Sequence, residues 1–204
     1  MIYSEIKDVA LAYSMRKDQE TVEMMDSFLL MVESKMNRAL DTKEMAYRTV
    51  LITSEDKGYY GLPDGFMSMR DIQVETEISG GEKNTPIYVS PEVMNNAISI
   101  NSDVLIYTII ANQIQLHPVQ DNQLLEIVYR KRIPALTSKE QSNWVSIQTP
   151  DAYIFGLLVE ISSFAKDAEA AQLWNSRFDE VLNTLQREDD VNRWSGPALR
   201  IQLG

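Results

Sequence analysis

The helix that opens at Thr149-Pro150-Asp151 constrains this chain more than any other feature, because it is apolar almost all the way round. Thr149 can cap, Pro150 suits the first helical position and Asp151 meets the positive end of the helix dipole, so three local signals agree on the start. Tyr153, Ile154, Phe155, Leu157, Leu158, Val159, Ile161 and Phe164 then cover more than one face. Such a helix must be buried on several sides. Its one interior acid, Glu160, lies where loss of water penalises charge unless a cation or donor meets it. The expectation is an ion pair for Glu160 across a helix or subunit contact, in preference to a catalytic role. The helix ends near Lys166 and Asp167 can cap the next, so the two should fold back on each other. Ala171, Trp174, Phe178, Val181, Leu182 and Leu185 give that following helix one regular stripe.

The amino-terminal part is also helical. Ile6, Val9, Ala10 and Tyr13 share one face of a short helix with Ser4 as its cap. After Asp18, Met25, Phe28, Leu29, Val32, Met36 and Ala39 form a longer stripe, with Lys35 and Arg38 near the negative end of the dipole. Methionines in such a stripe read as gap-filling core. From Ala46 the period changes to alternation: Thr49, Leu51 and Thr53 on one side, Val50 and Ile52 on the other. Strands are predicted at Phe66 to Ile78, Ile87 to Val89, Val104 to Leu116 and Leu124 to Ile133, with a short helical turn opened by Ser90-Pro91-Glu92. The last two strands read as a hairpin across the His117 to Asn122 loop. The fold class is therefore α+β: a helical core from 1–45 and 149–188, an inserted antiparallel β-rich lobe with connecting loop at 46–148, and an extended arm at 189–204.

The arm alternates Leu199, Ile201 and Leu203 with Arg200 and Gln202, after the helix-breaking Ser195-Gly196-Pro197. Burying Trp194, Leu199, Ile201 and Leu203 gains roughly 6 to 12 kcal/mol, whereas ordering the backbone that carries them costs about 9 to 18 kcal/mol. The arm thus needs a surface to lie on. Fully extended, it reaches on the order of 50 to 60 Å. Its own lobe, another subunit or another protein would each serve, the last two by adding a strand to an open sheet edge.

Composition removes several classes of function. In 204 residues there is no cysteine, so disulfides, thiolate nucleophiles and cysteine-type metal centres are excluded. One histidine, His117, cannot build a histidine metal site or triad by itself. No glycine-rich phosphate loop is present, and no run of 18 apolar residues could span a bilayer. No cofactor is expected. With 30 acidic residues, carboxylate pairs for sugar hydrolysis can be drawn almost anywhere, so they carry no specificity. Arg130, Lys131 and Arg132 alternate sides of a strand and form no basic groove. The net charge of -11 argues against gripping nucleic acid. It serves either solubility or a channel that DNA passes without sticking. The amino terminus lacks the basic start and apolar stretch of a secretory signal, which leaves a cytoplasm as the place of assembly.

Several blocks resemble the head-to-tail adaptor (connector) proteins of short-tailed, podovirus-type phages. They are the stretches Phe28 to Leu40, Leu62 to Ile72, Tyr88 to Met94, Leu124 to Leu136 and Leu173 to Gln186, together with Ile133-Pro134-Ala135-Leu136, Asn143-Trp144 and Pro150 to Glu160. The resemblance implies a structural virion protein at the head-tail junction, forming a homododecameric ring between the portal protein and the tail nozzle protein. Genomic DNA would move through its centre without specific binding. Trp194, Leu199, Arg200, Ile201 and Leu203 would form the arm that embraces the portal or a neighbouring subunit. The all-round apolar helix would then face two lateral neighbours. A virion-associated peptidoglycan hydrolase and a non-viral cytoplasmic binding module are the alternatives.

Overall fold

The computed structural model describes residues 1–54, 58–75, 81–100 and 102–194. The chain is α+β and divides into two compact units, one of residues 1–45 with 133–204, the other Ala46–Arg132. The polar connection from Ile133 to Gln148 belongs to the helical unit, so the boundary falls at Arg132 and not at residue 148.

In the helical unit, α1 (Tyr3–Ser14) starts without a side-chain cap; Ser4 lies inside it, and Glu5 accepts from the Ile2 N–H at 2.9 Å. Helix α2 (Gln19–Ala39) is capped by Asp18, which accepts from the Thr21 N–H at 3.1 Å. Met25, Phe28, Leu29, Val32 and Met36 are buried as the stripe requires, while Ala39 is exposed and Leu40 takes the buried place. A five-residue helix, α4 (Trp144–Gln148), occupies what reads in the sequence as loop. Asn143 accepts from the Ser146 N–H at 2.9 Å and donates its own N–H to Ser146 Oγ at 2.9 Å, so Asn143-Trp144 is a reciprocal helix start. Thr149 ends α4 and begins α5 (Pro150–Phe164), but its side chain makes no capping bond. Lys166 turns the chain with φ of 59°, Asp167 accepts from the Ala170 N–H at 3.0 Å, and α6 (Ala168–Trp194) returns along α5.

The apolar character of α5 is used inside the protomer. Helices α1, α2, α4 and α6 all pack on it, and Ala152, Tyr153, Leu157, Leu158 and Ile161 are almost wholly buried. Lateral neighbours are not needed to explain it. Gly156 permits the closest approach: a Cβ there would lie 2.5 Å from Val32 Cγ1 and 3.3 Å from Phe178 Cε2.

Helix α6 runs to Trp194, so the segment 189–194 is helix and not extended arm. Nothing breaks the helix before Gly196-Pro197, and its last turns are tied down. Gln186 Oε1 accepts from the Asp41 N–H at 2.8 Å, and buried Asp189 accepts from the Lys43 N–H at 3.0 Å.

The second unit contains two sheets. One has the order β1 (Ala46–Ile52), β8 (Leu124–Lys131), β3 (Phe66–Glu75), β4 (Lys83–Asn84); the other runs β2 (Tyr59–Gly61), β7 (Gln113–His117), β6 (Ile106–Ile110), β5 (Ile87–Tyr88). Helix α3 (Pro91–Ser99) follows β5 and is capped by Ser90. All pairings are antiparallel except β5 with β6. The core is built from both sheets: Ile72, Val74, Leu125, Ile127 and Tyr129 from one, Tyr60, Ile114 and Leu116 from the other.

The expected single strand from Val104 to Leu116 is two strands. They meet at a two-residue turn in which Ala111 takes φ of 53°. No Asn-Gly or Asp-Gly pair announces that turn. The expected hairpin partner also differs, since β8 pairs with β1 and β3 rather than with β7.

Candidate functional site

The signature stretches of the sequence converge on one buried polar junction in the helical unit. Glu33 and Asn37 are one turn apart on α2 and both are buried. Asn37 Oδ1 accepts from the Ile133 N–H at 2.9 Å, while its Nδ2 donates to the Glu33 carbonyl at 2.8 Å. The Glu33 carboxylate accepts from the Leu136 N–H at 2.7 Å and from the Tyr153 hydroxyl at 3.2 Å. Asn143 Nδ2 donates to the Pro134 carbonyl at 2.7 Å and to the Tyr153 oxygen at 2.6 Å. Ile133 to Leu136, Asn143 and Tyr153 are thereby locked to α2. A chain leaving the β-rich unit has backbone groups that must be satisfied when it becomes buried, and the three side chains do this.

The electrostatics follow from burial. Tyr153 is wholly buried, so its hydroxyl is held far above the usual phenol range, first by loss of water and then by the Glu33 charge beside it. Burial likewise raises Glu33, against the Leu136 and Tyr153 donors that favour its charged form. These bonds hold the Ile133 to Leu136 segment against α2.

A second feature lies on the outer side of α2. Lys35 Nζ meets Glu160 Oε1 at 3.1 Å, with side chains 38% and 14% exposed. Together with Ser27, Leu30, Met31, Ser34 and Arg38 they line an open groove. Leu30 is 64% exposed and Met31 49%; on α5, Phe164, its ring tilted 59° against that of Phe28, is 41% exposed. Leu30 and Met31 thus share the groove with the ion pair and Arg38.

The remaining candidates from the sequence do not gather there. Trp194 is the final residue of α6. Leu199, Arg200, Ile201 and Leu203 lie outside the described residues. His117 sits at the end of β7. Among the described residues, no three His, Asp or Glu side chains are grouped as a metal would require, and no helix is long and apolar enough to cross a membrane. Sequence reasoning missed Glu33 and Asn37. Their signal was present: polar residues alternating with Val32 and Met36 on the buried side of an apolar stripe.

The family model described as SU10 adaptor protein matches residues 1–201. The chain belongs to the SU10 adaptor protein family. That is a family of phage head-tail adaptors, so the protein is a structural component of a virion and works by contact with other virion proteins. No curated protein matches the chain. The match covers both units, and its span includes every residue of the polar junction. The adaptor family is one of structural proteins and not a known enzyme family.

Proposed function

We propose that this adaptor assembles as a homododecameric ring between the portal protein and the tail nozzle of a podovirus-type phage, with genomic DNA passing through its centre. The observation that carries the reading, beyond family membership, is the α2 face: Leu30 and Met31 exposed in the groove that the Lys35–Glu160 pair also lines. An apolar cluster with a charged border is the composition of a contact between subunits, with a dry centre and a polar rim. The net charge of -11 supports passage of DNA without retention. Residues 195–203, beyond the end of α6, serve as the arm that reaches the portal or a neighbour.

Negative-stain imaging of the purified protein, alone and with its cognate portal protein, tests this. Rings on the portal are expected. Subunits that stay monomeric in the presence of portal would sink the reading. DNA retention that persists at moderate salt would remove the passive-channel part.

A further inference from the structure

We propose that the open edge of β1 is the docking site for residues Leu199 to Leu203 of a second copy of this chain, which add a strand to the sheet. The inference rests on the ring reading, because it needs adjacent copies.

The argument begins with sheet edges. The described sheets end at β1, β4, β2 and β5. Strands β4 and β5 have two residues each and β2 has three. Short edges of this kind are a common protection against unwanted pairing. Strand β1 has seven residues. It pairs along its whole length with β8, from Ala46↔Arg130 to Ile52↔Leu124, without a register shift. No described strand pairs with its other side. It contains no proline or bulge and one cation, Arg48, already paired with Glu126 at 3.0 Å. Val50 is 50% exposed and Ile52 61%. A long, regular, partly apolar edge is what a soluble protein avoids unless something covers it.

The occupant follows from length and pattern. Among the described edges only β1 offers five residues in unbroken register: β3, which β4 covers only at Val74 and Glu75, has register shifts between Phe66 and Ser68 and between Met69 and Asp71. Leu199-Arg200-Ile201-Gln202-Leu203 is a five-residue alternating segment beyond the end of α6. Backbone hydrogen bonds would supply affinity and the alternating side chains the register. On β1, Leu51 packs towards the core of the β unit and Tyr47 lies against Tyr129 on the same side. Leu199, Ile201 and Leu203 continue that apolar side, and Arg200 and Gln202 fall on the side of Arg48, Val50 and Ile52.

The chain has no cysteine, so disulfide trapping reports cleanly. Ile201→Cys chains are mixed with chains carrying Tyr47→Cys, Arg48→Cys, Thr49→Cys or Val50→Cys, assembled with portal and oxidised. Cross-linked dimers are expected with Tyr47→Cys or Thr49→Cys, in at least several-fold higher yield than with Arg48→Cys or Val50→Cys, because facing positions alternate along a strand. Rings without this alternating cross-link overturn the edge pairing and leave the ring reading standing. Alternating cross-links between copies that never form a ring support the pairing and overturn the ring reading. Absence of both overturns both.

Discussion

Replacing Tyr153 by Phe removes one oxygen from the buried junction and should expose how that junction is powered. The hydroxyl donates to the Glu33 carboxylate at 3.2 Å and accepts from Asn143 Nδ2 at 2.6 Å. Asn143 keeps its bond to the Pro134 carbonyl at 2.7 Å, so its loss is partial. Glu33 keeps only the Leu136 N–H of its two described donors. A hydrogen bond to a charged group contributes about 1.5 to 3 kcal/mol, and a neutral one about 0.5 to 1.5 kcal/mol. Tyr153→Phe should therefore cost about 1.5 to 3 kcal/mol by chemical denaturation at neutral pH. In a Glu33→Gln background the same change should cost about 0.5 to 1.5 kcal/mol, leaving a coupling on the order of 1 kcal/mol in the double-mutant cycle. Gln is preferable to acid for neutralising Glu33, since the isoelectric point near 4.6 invites precipitation at low pH. Equal losses in the two backgrounds would refute the claim that the hydroxyl acts on a carboxylate charge.

Glu33 also predicts a pH effect. Its folded value is raised above 4.5, so the folded state holds this proton more readily than the unfolded chain, and its contribution falls as pH rises from about 4.5 through the folded value. Denaturation of the wild type and Glu33→Gln at a series of pH values should show that slope in the first and its loss in the second. Gly156→Ala should destabilise by about 1 to 3 kcal/mol through overpacking against Val32, despite the helix propensity gained. Adding Val32→Ala should recover part of that loss relative to Val32→Ala alone, as read by thermal unfolding. Glu160→Gln should change the monomer's stability by less than about 1 kcal/mol, because Lys35 is substantially exposed. The same variant should weaken ring formation on the portal if that pair borders a subunit contact. Deleting residues 195–204 should leave the helical unit's melting unchanged while abolishing attachment, measured by co-sedimentation with portal.

Periodicity made much of the fold legible. The stripes of α2 and α6, the start of α5 at Pro150 and the alternation of β1 and β8 follow from spacing and caps, which act within a few residues. What sequence reading missed depended on contacts it cannot see. The Val104 to Leu116 run has strand pattern throughout, yet it breaks at Ala111 because β6 and β7 pair with each other. Residues 189–194 look too polar for a packed helix, but Asp189 is held by the backbone of Lys43. In the candidate site, Asn143 and Tyr153 stood inside recognisable motifs, whereas Glu33 stood in no such short motif, and its burial beside Val32 depends on packing.

The amino-acid sequence by itself determined the α+β class, the element types and the all-round burial demanded by α5. Only the tertiary structure decided what buries it, four helices of its own chain, and which side chains complete the junction, through bonds spanning 96 to 120 positions. The physical reason is that propensity, capping and hydrophobic period are local to the chain. A buried carboxylate and a backbone amide become partners only once packing has brought distant segments together and excluded the water that would otherwise satisfy both.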